Sequence, residues 1–113
     1  MLPAANRLRT AADFRETTRR GGKAARGCVV VYLNRRETTA PARVGVVVSK
    51  SVGGSVQRHR AARRIREAMR PYLEVLPSGS TAVVRALPGA DRQPSLGTDV
   101  AVALDSLLRK DRR

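Results

Sequence analysis

The chain has 113 residues, which suits one compact domain with one modest core and is too short for two. Lysine and arginine total 23 against 9 aspartate and glutamate, so the formal net charge is +14 and the expected partner is a polyanion, either nucleic acid or an anionic membrane. Hydrophobic residues make up 42%, which excludes a wholly disordered basic tail.

The apolar runs and the single cysteine narrow the class further. The runs CVVVYL and VGVVV are far shorter than the roughly 20 residues that span a bilayer, and MLPAANRLRT lacks the apolar region of a secretory signal. Cys28 has no partner for an internal disulfide, and no CxxC or Cys/His cluster is available to hold zinc. We therefore expect a cytoplasmic protein with no membrane partner, and Cys28 as a small buried hydrophobe.

The predicted elements, in chain order, begin with a short helix over residues 10–20 that ends at RRGG. Runs rich in β-branched residues between turn-forming residues predict three strands. These strands cover residues 28–34, 43–49 and 81–87. An arginine-rich helix precedes the third of them. The last element is a helix that begins at Ser95 or Thr98 and continues to Lys110, and we expect the basic end beyond it to fray.

The arginine-rich helix, around SVQRHRAARRIRE, has two different faces. At about 100° per residue, one stripe is apolar and must face the sheet. It contains Ala61, Ile65, Ala68, Met69 and Tyr72. The opposite side is basic, with His59, Arg63, Arg66 and Arg70, and with Arg60 beside them. A solvated face with intrahelical salt bridges is the alternative, but only Glu67 and Glu74 are available as partners. The pattern favours phosphate binding.

A glycine turn leads from the second strand into this helix. Gly53 and Gly54 permit backbone conformations that other residues avoid, and Ser55 is placed to cap the first turn. Outward N–H groups at a helix start attract phosphate, so Gly53, Gly54 and Ser55 form a candidate anion site. It is not a Walker P-loop, because GxxxxGK[ST] does not occur here.

The run VSKSVGGSVQRHRAARRIREAMR, residues 48–70, resembles the signature of the bacterial ribonuclease P protein subunit. NRLR…DF…RRGG near the N-terminus and AVVRALP at residues 82–88 are similar to that family too, so the resemblance covers roughly residues 6–88. The chain departs from the commonest family pattern at Thr18, Ser51, Gly54, His59 and Ala62.

The resemblance implies an α+β fold. It is a single-domain sandwich of order α-β-β-(β)-α-β-α, in which one strand is optional and a left-handed βαβ crossover places the arginine-rich helix on a central mixed sheet. Residues 1–113 would form one RNA-binding domain with a folded core from about residue 6 to 110. The implied partners are the catalytic ribonuclease P RNA and precursor tRNA, with no obligate protein partner.

The resemblance also implies the chemistry. The RNA subunit, using Mg²⁺, would cut the 5′ leader from precursor tRNA; the protein would have no catalytic residue, no metal site of its own and no organic cofactor. The residues expected to bind the RNA subunit are Lys50, Arg58, His59, Arg60, Arg63, Arg66 and Arg70. The residues expected to line a leader-binding cleft are Phe14, Thr18, Val31 or Tyr32, and Val46 or Val48. For Phe14 and Tyr32, burial in the core remains open as the alternative.

Other function classes explain less of the sequence. A protein nuclease would need clustered carboxylates or a His-based acid–base pair, whereas the acids are scattered from Asp13 to Asp111 and His59 is the only histidine. A ribosomal or other structural RNA-binding protein explains the charge and size equally well, but not the order of the motifs. A DNA-binding regulator would favour a helix-turn-helix pair over a strand-turn-helix entry.

Overall fold

The structure, a computed structural model, describes residues 2–110. Its helices and strands are α1 Ala11–Arg20, β1 Gly22–Arg26, β2 Val29–Asn34, β3 Arg43–Val47, α2 Ser55–Met69, β4 Thr81–Ala86 and α3 Leu96–Lys110. Short 3-10 turns cover Ala4–Asn6, Lys50–Val52 and Arg70–Tyr72. The predicted α+β class is confirmed, as is an order with three strands before the arginine-rich helix; the additional strand is β1, which precedes the first strand predicted from the residues. The predicted frayed end falls partly on residues 111–113, outside the described residues.

The four strands form one mixed sheet in the order β1-β2-β4-β3. β2 pairs antiparallel with both β1 and β4, whereas β3 pairs parallel with β4. The chain passes from β3 to β4 through α2, which forms the predicted βαβ unit. The left-handed sense of this crossover stays a prediction from the resemblance.

Strand β1 is the element that the residue pattern did not predict. Its sequence GKAAR has no β-branched or aromatic residue, and it forms a strand by pairing along the whole of its length with β2. A two-residue turn joins the two strands, and its first residue, Gly27, has a φ of 53°, which suits glycine in a tight hairpin. The three predicted strands are found one or two residues shorter than expected.

One face of the sheet carries the main core, under α2 and α3. Val29, Val31 and Leu33 of β2 point into it, as do Ala82 and Val84 of β4. On α2 the predicted apolar stripe is confirmed: Ala61, Ile65 and Met69 are fully buried, and Ala68 and Tyr72 pack against the same cluster. Leu2 also belongs to this core, so packing begins before residue 6.

Helix α1 crosses the other face of the sheet and covers only part of it. Thr10 caps the helix by accepting a hydrogen bond from the Asp13 amide at 3.1 Å. The Thr17 hydroxyl, which donates to the Asp13 carbonyl at 2.8 Å, lies 2.7 Å from the Thr81 hydroxyl of β4. Because Thr81 faces α1, the strand period of two places Val83 and Arg85 on the same side of the sheet.

Asp99, in the first turn of α3, is a buried carboxylate that fastens this helix to the β1–β2 turn. Its Oδ2 accepts hydrogen bonds from the Cys28 amide at 3.2 Å, the Cys28 thiol at 3.4 Å and the Ser95 hydroxyl at 3.1 Å. The Cys28 amide is the main cause that lowers the pKa of Asp99 below its usual value. A Cβ at Gly27 would collide with this carboxylate, so glycine is needed for packing as well as for the turn.

We predict that Asp99→Ala lowers the free energy of unfolding by about 1–3 kcal/mol, because it leaves the buried Cys28 amide without an acceptor. Urea denaturation at pH 7 measures this change. Since the pKa of Asp99 is lowered in the folded state, the stabilisation by its ionised form is present above the unfolded pKa of about 3.9 and is lost as the pH falls through the folded value.

The control is Asp99→Asn, which keeps the size of the side chain and one acceptor oxygen but does not titrate. The unfolding free energy of this variant should fall less than that of the wild type between pH 7 and pH 3. The same pH dependence in both proteins would contradict the assignment.

Candidate nucleic-acid interface

Helix α2 turns most of its basic side chains to solvent. We name as the arginine face its exposed residues His59, Arg60, Arg63 and Arg66, together with Arg70 at its end. Arg60, Arg63 and Arg66 make no hydrogen bond or ion pair with any residue in the range 2–110, whereas Arg70 pairs with Glu67 at 3.2 Å. Three unpaired guanidinium groups on one helix side present many donors to a phosphate backbone.

Arg64 is the arginine of α2 that serves the fold. Its guanidinium donates to the backbone carbonyls of Ala90 and Asp91 at 3.2 and 3.3 Å. These bonds fasten α2 to the loop that precedes α3. Arg64 is half-buried and lies outside the arginine face.

The start of α2 lies beside the predicted anion site. Gly53 has a φ of 147°, and a Cβ there would lie 2.9 Å from the Gln57 side chain. Gly54 is the N-cap residue and Ser55 is the first helical residue, so the expected capping by Ser55 is wrong. Because no side chain in the described part of the protein caps this terminus, the N–H groups of the first turn are left for an external acceptor. Lys50 is exposed in the 3-10 turn just before it.

A basic cavity of about 270 Å³ opens between the first turns of α2 and the end of β3. Ser55, Arg58 and His59 line it on the helix side, over an apolar floor of Val46, Val48 and Ala62. The Nε of half-buried Arg58 is inaccessible to solvent and has no hydrogen-bond partner among residues 2–110. The cavity therefore combines a cationic rim with an apolar floor.

The sheet face that α1 crosses stays partly open, since Phe14, Thr18 and Tyr32 on this side are only half-buried. We name this open part the leader-face groove and define it by Phe14 and Thr18 of α1 and by Tyr32 of β2. Tyr32 pairs with Val83 of β4, which shares the α1 side with Thr81, so Tyr32 faces the groove. Phe14 lies directly over Gly45 of β3, where a Cβ would collide with its ring.

The predicted cleft residues are divided between different surfaces. Val31 is 0% exposed and lies in the core under α2 and α3. Of the two alternatives, Val31 and Tyr32, it is therefore Tyr32 that faces the groove. Val46 and Val48 alternate with Gly45, which faces Phe14, and so they point toward α2 and its basic cavity. Both assignments follow from the strand period of two. Phe14 and Tyr32 are half-buried and therefore remain partly accessible.

The two surfaces meet around the outer edge of β3. A cavity of about 140 Å³ at this edge is lined by Phe14 from the groove, Arg66 from the arginine face and Val46 between them. Arg7 also lines it, and its Nε donates to the Leu2 carbonyl at 2.9 Å. A nucleic-acid strand that lies extended in the groove can therefore reach the arginine face by passing the basic side chains of Arg7 and Arg66.

Two cations on the groove side were missed from the sequence. Lys23 is exposed on β1, directly opposite Tyr32, and Arg85 is exposed on the central strand β4. Lys23 could not be placed on the groove side from the sequence because β1 was not predicted. Arg85 carried a usable signal, since it is the single charge in the otherwise apolar run TAVVRAL.

Side chains suited to metal binding or nucleophilic catalysis are not grouped in this part of the chain. Within residues 2–110, no group of three or more His, Cys, Asp or Glu residues is arranged to hold a metal ion. Burial raises the pKa of the Cys28 thiol to about 11, with the neighbouring Asp99 adding to the effect. Over the same residues, no helix is both long and apolar enough to cross a bilayer.

Comparison with known proteins agrees with this architecture. The ribonuclease P family model matches residues 2–110. The ribonuclease P protein component of Streptomyces avermitilis is 45% identical over an alignment of 118 positions that covers 96% of each chain, and that of a Nocardioides species is 50% identical over 92 positions that cover 80% of this chain and 79% of the relative.

Solved structures give the same result. The ribonuclease P protein of Staphylococcus aureus superposes with a TM-score of 0.73 at 25% identity and 95% coverage of both chains. That of Thermotoga maritima superposes with a TM-score of 0.72 at 25% identity, covering 91% of this chain and 96% of the other. With a family model matched from residue 2 to residue 110 and relatives similar over almost their whole length, the chain belongs to the ribonuclease P protein family.

Proposed function

We propose that this chain is the protein component of ribonuclease P, which binds the catalytic RNA subunit and the 5′ leader of precursor tRNA and promotes removal of the leader. One observation carries the proposal: the exposed Arg60, Arg63 and Arg66 of α2 make no hydrogen bond or ion pair within residues 2–110, and at the β3 edge Arg66 lines the same cavity as Phe14, which belongs to the groove. Two RNA surfaces joined in this way suit a protein that contacts two RNA segments at once.

A ribosomal or other structural RNA-binding protein is not favoured. The relatives that match over nearly the whole chain are ribonuclease P protein components, and the fold that carries the arginine helix here is similar to that of a solved ribonuclease P protein. A general RNA-binding role accounts for the charge but gives no reason for a half-buried aromatic pair on the opposite sheet face.

In this proposal the arginine face binds the RNA subunit. Guanidinium groups bind phosphates through paired N–H donors, and the uncapped start of α2 with Lys50, Gly53 and Gly54 adds a further anion site. The charge of these residues reduces the repulsion between the RNA subunit and precursor tRNA. Hydrolysis belongs to the RNA subunit and its magnesium ions, and the complex works in the cytoplasm.

The leader-face groove is proposed to hold single-stranded leader. Stacking on aromatic rings is tolerant of sequence, as leaders of many different tRNAs require. Phe14 and Tyr32 are the two aromatic rings of the groove, so the protein can stack few bases. Most of the affinity for the leader must then come from its phosphates.

The first prediction from the proposed function concerns activity. Adding the protein to a bacterial ribonuclease P RNA at low magnesium should restore accurate 5′ cleavage of precursor tRNA, because added positive charge replaces part of the ionic requirement. Gel analysis of cleavage products measures the effect. RNA binding without any gain in cleavage, including with an RNA subunit from a close relative, would contradict the proposed function.

The arginine face gives the second prediction. Arg60→Ala with Arg63→Ala should weaken binding to the RNA subunit and flatten the log–log salt slope by about 0.7–0.9 for each lost phosphate contact. Filter binding at several salt concentrations measures both. The matched control is Arg109→Ala with Lys110→Ala, which removes the same charge from the exposed end of α3. If the two double variants behave alike, the arginine face is not the interface.

The third prediction concerns Phe14. Phe14→Leu keeps an apolar side chain over Gly45 but removes the ring, so precursor tRNA should bind more weakly, by about 1–3 kcal/mol if one base stacks there, while mature tRNA is unaffected. Equilibrium binding of the holoenzyme to both RNAs tests this, with a thermal melt to check folding. An equal loss for precursor and mature tRNA would assign Phe14 to the core.

A further inference from the structure

Arg85 occupies an unusual place for a free cation. Strand β4 lies between β2 and β3, and all of its residues except Arg85 are buried. Its partners in the sheet are Val30 on β2 and Val47 on β3, neither of which offers a charge. Arg85 makes no hydrogen bond or ion pair with the residues that the structure describes. Nothing in the packing of the sheet accounts for an arginine at this position.

Lys23 lies on the other side of Tyr32 in the same groove. It is directly opposite Tyr32 on β1, whereas Arg85 lies diagonally across from Tyr32 on β4, two residues beyond its partner Val83. Diagonal neighbours of this kind are about 7–8 Å apart. Lys23 is exposed and, among residues 2–110, has no ion-pair partner. A half-buried aromatic ring is thus flanked by two free cations on two different strands.

The acidic residues of α1 do not neutralise these cations. Asp13 pairs with Arg43 at 3.4 Å, and Glu16 pairs with Arg36 at 3.2 Å. Both acids are therefore engaged with arginines other than Arg85. The positive charge of the groove remains available to a ligand that carries its negative charges at intervals.

We propose that Lys23 and Arg85 bind the two leader phosphates on either side of the nucleotide that stacks on Tyr32. This inference rests on the proposed function of the leader-face groove and adds to it the residues that position the strand. Because phosphate contacts carry no base information, they fix how the leader lies in the groove without selecting its sequence. The leader is then recognised by its length and position.

The test uses holoenzyme assembled from the RNA subunit and variant protein. Arg85→Gln and Lys23→Gln should each weaken binding of leader-bearing precursor about tenfold, as expected for a lost hydrogen bond to a charged group, and lower the salt slope by about 0.7. Binding of leaderless tRNA and of the RNA subunit should not change. Arg85→Lys, which keeps the charge, should recover the slope, and Arg109→Gln is the matched control.

A second measurement uses wild-type protein, so it does not depend on the folding of a variant. Neutral methylphosphonate linkages are placed one at a time along the leader. Affinity should fall at two linkages that flank one nucleotide, and the Arg85→Gln protein should be insensitive at one of them. A uniform response along the leader would overturn the inference.

The outcomes separate the inference from the function on which it rests. If Arg85→Gln and Lys23→Gln match Arg109→Gln while Phe14→Leu still weakens leader binding selectively, the groove binds leader but these two cations do not hold it. If Phe14→Leu also has no selective effect, the proposed role of the groove fails. Equal weakening for leaderless tRNA places the contacts outside the leader and overturns the inference.

Discussion

The parallel pairing of β3 with β4 is the constraint on which the rest of the structure depends. Neighbouring parallel strands cannot be joined by a hairpin, so the chain must cross the sheet through a long connection, and α2 makes this crossing. To lie on the sheet, α2 must bury the stripe of Ala61, Ile65 and Met69. Its arginines are then turned outward together. The same pairing places β3 at the edge of the sheet, where the two basic surfaces meet.

Much of this arrangement could be predicted because helical and strand periods are visible in sequence. The 3.6-residue period separated the apolar stripe of α2 from the arginine face, and β-branched runs located β2, β3 and β4. The choice between Val31 and Tyr32 could not be made, since it depends on which sheet face α1 covers. A strand pattern that is apolar on both sides gives no sign of that choice.

Other features depend on contacts between elements distant in sequence. Strand β1 exists because β2 offers it a partner, and its residues alone give no strand signal. The path between the groove and the arginine face depends on Arg66 and Phe14 approaching around an edge strand from different helices. Local propensity contains no information on either.

A net charge of +14 on so small a fold means that repulsion between its charges destabilises the native state. A bound polyanion relieves this repulsion.

The outer edge of β3 is partly covered by the N-terminal segment. Arg7 forms an isolated parallel bridge with Val44, and the Leu8 amide donates to the Val44 carbonyl at 3.0 Å. At the opposite edge of the sheet, strand β1 carries the charged residues Lys23 and Arg26. Exposed strand edges invite pairing between molecules, and both a covering segment and edge charges prevent it. The fold therefore has its own protection against aggregation in the interval between synthesis and assembly.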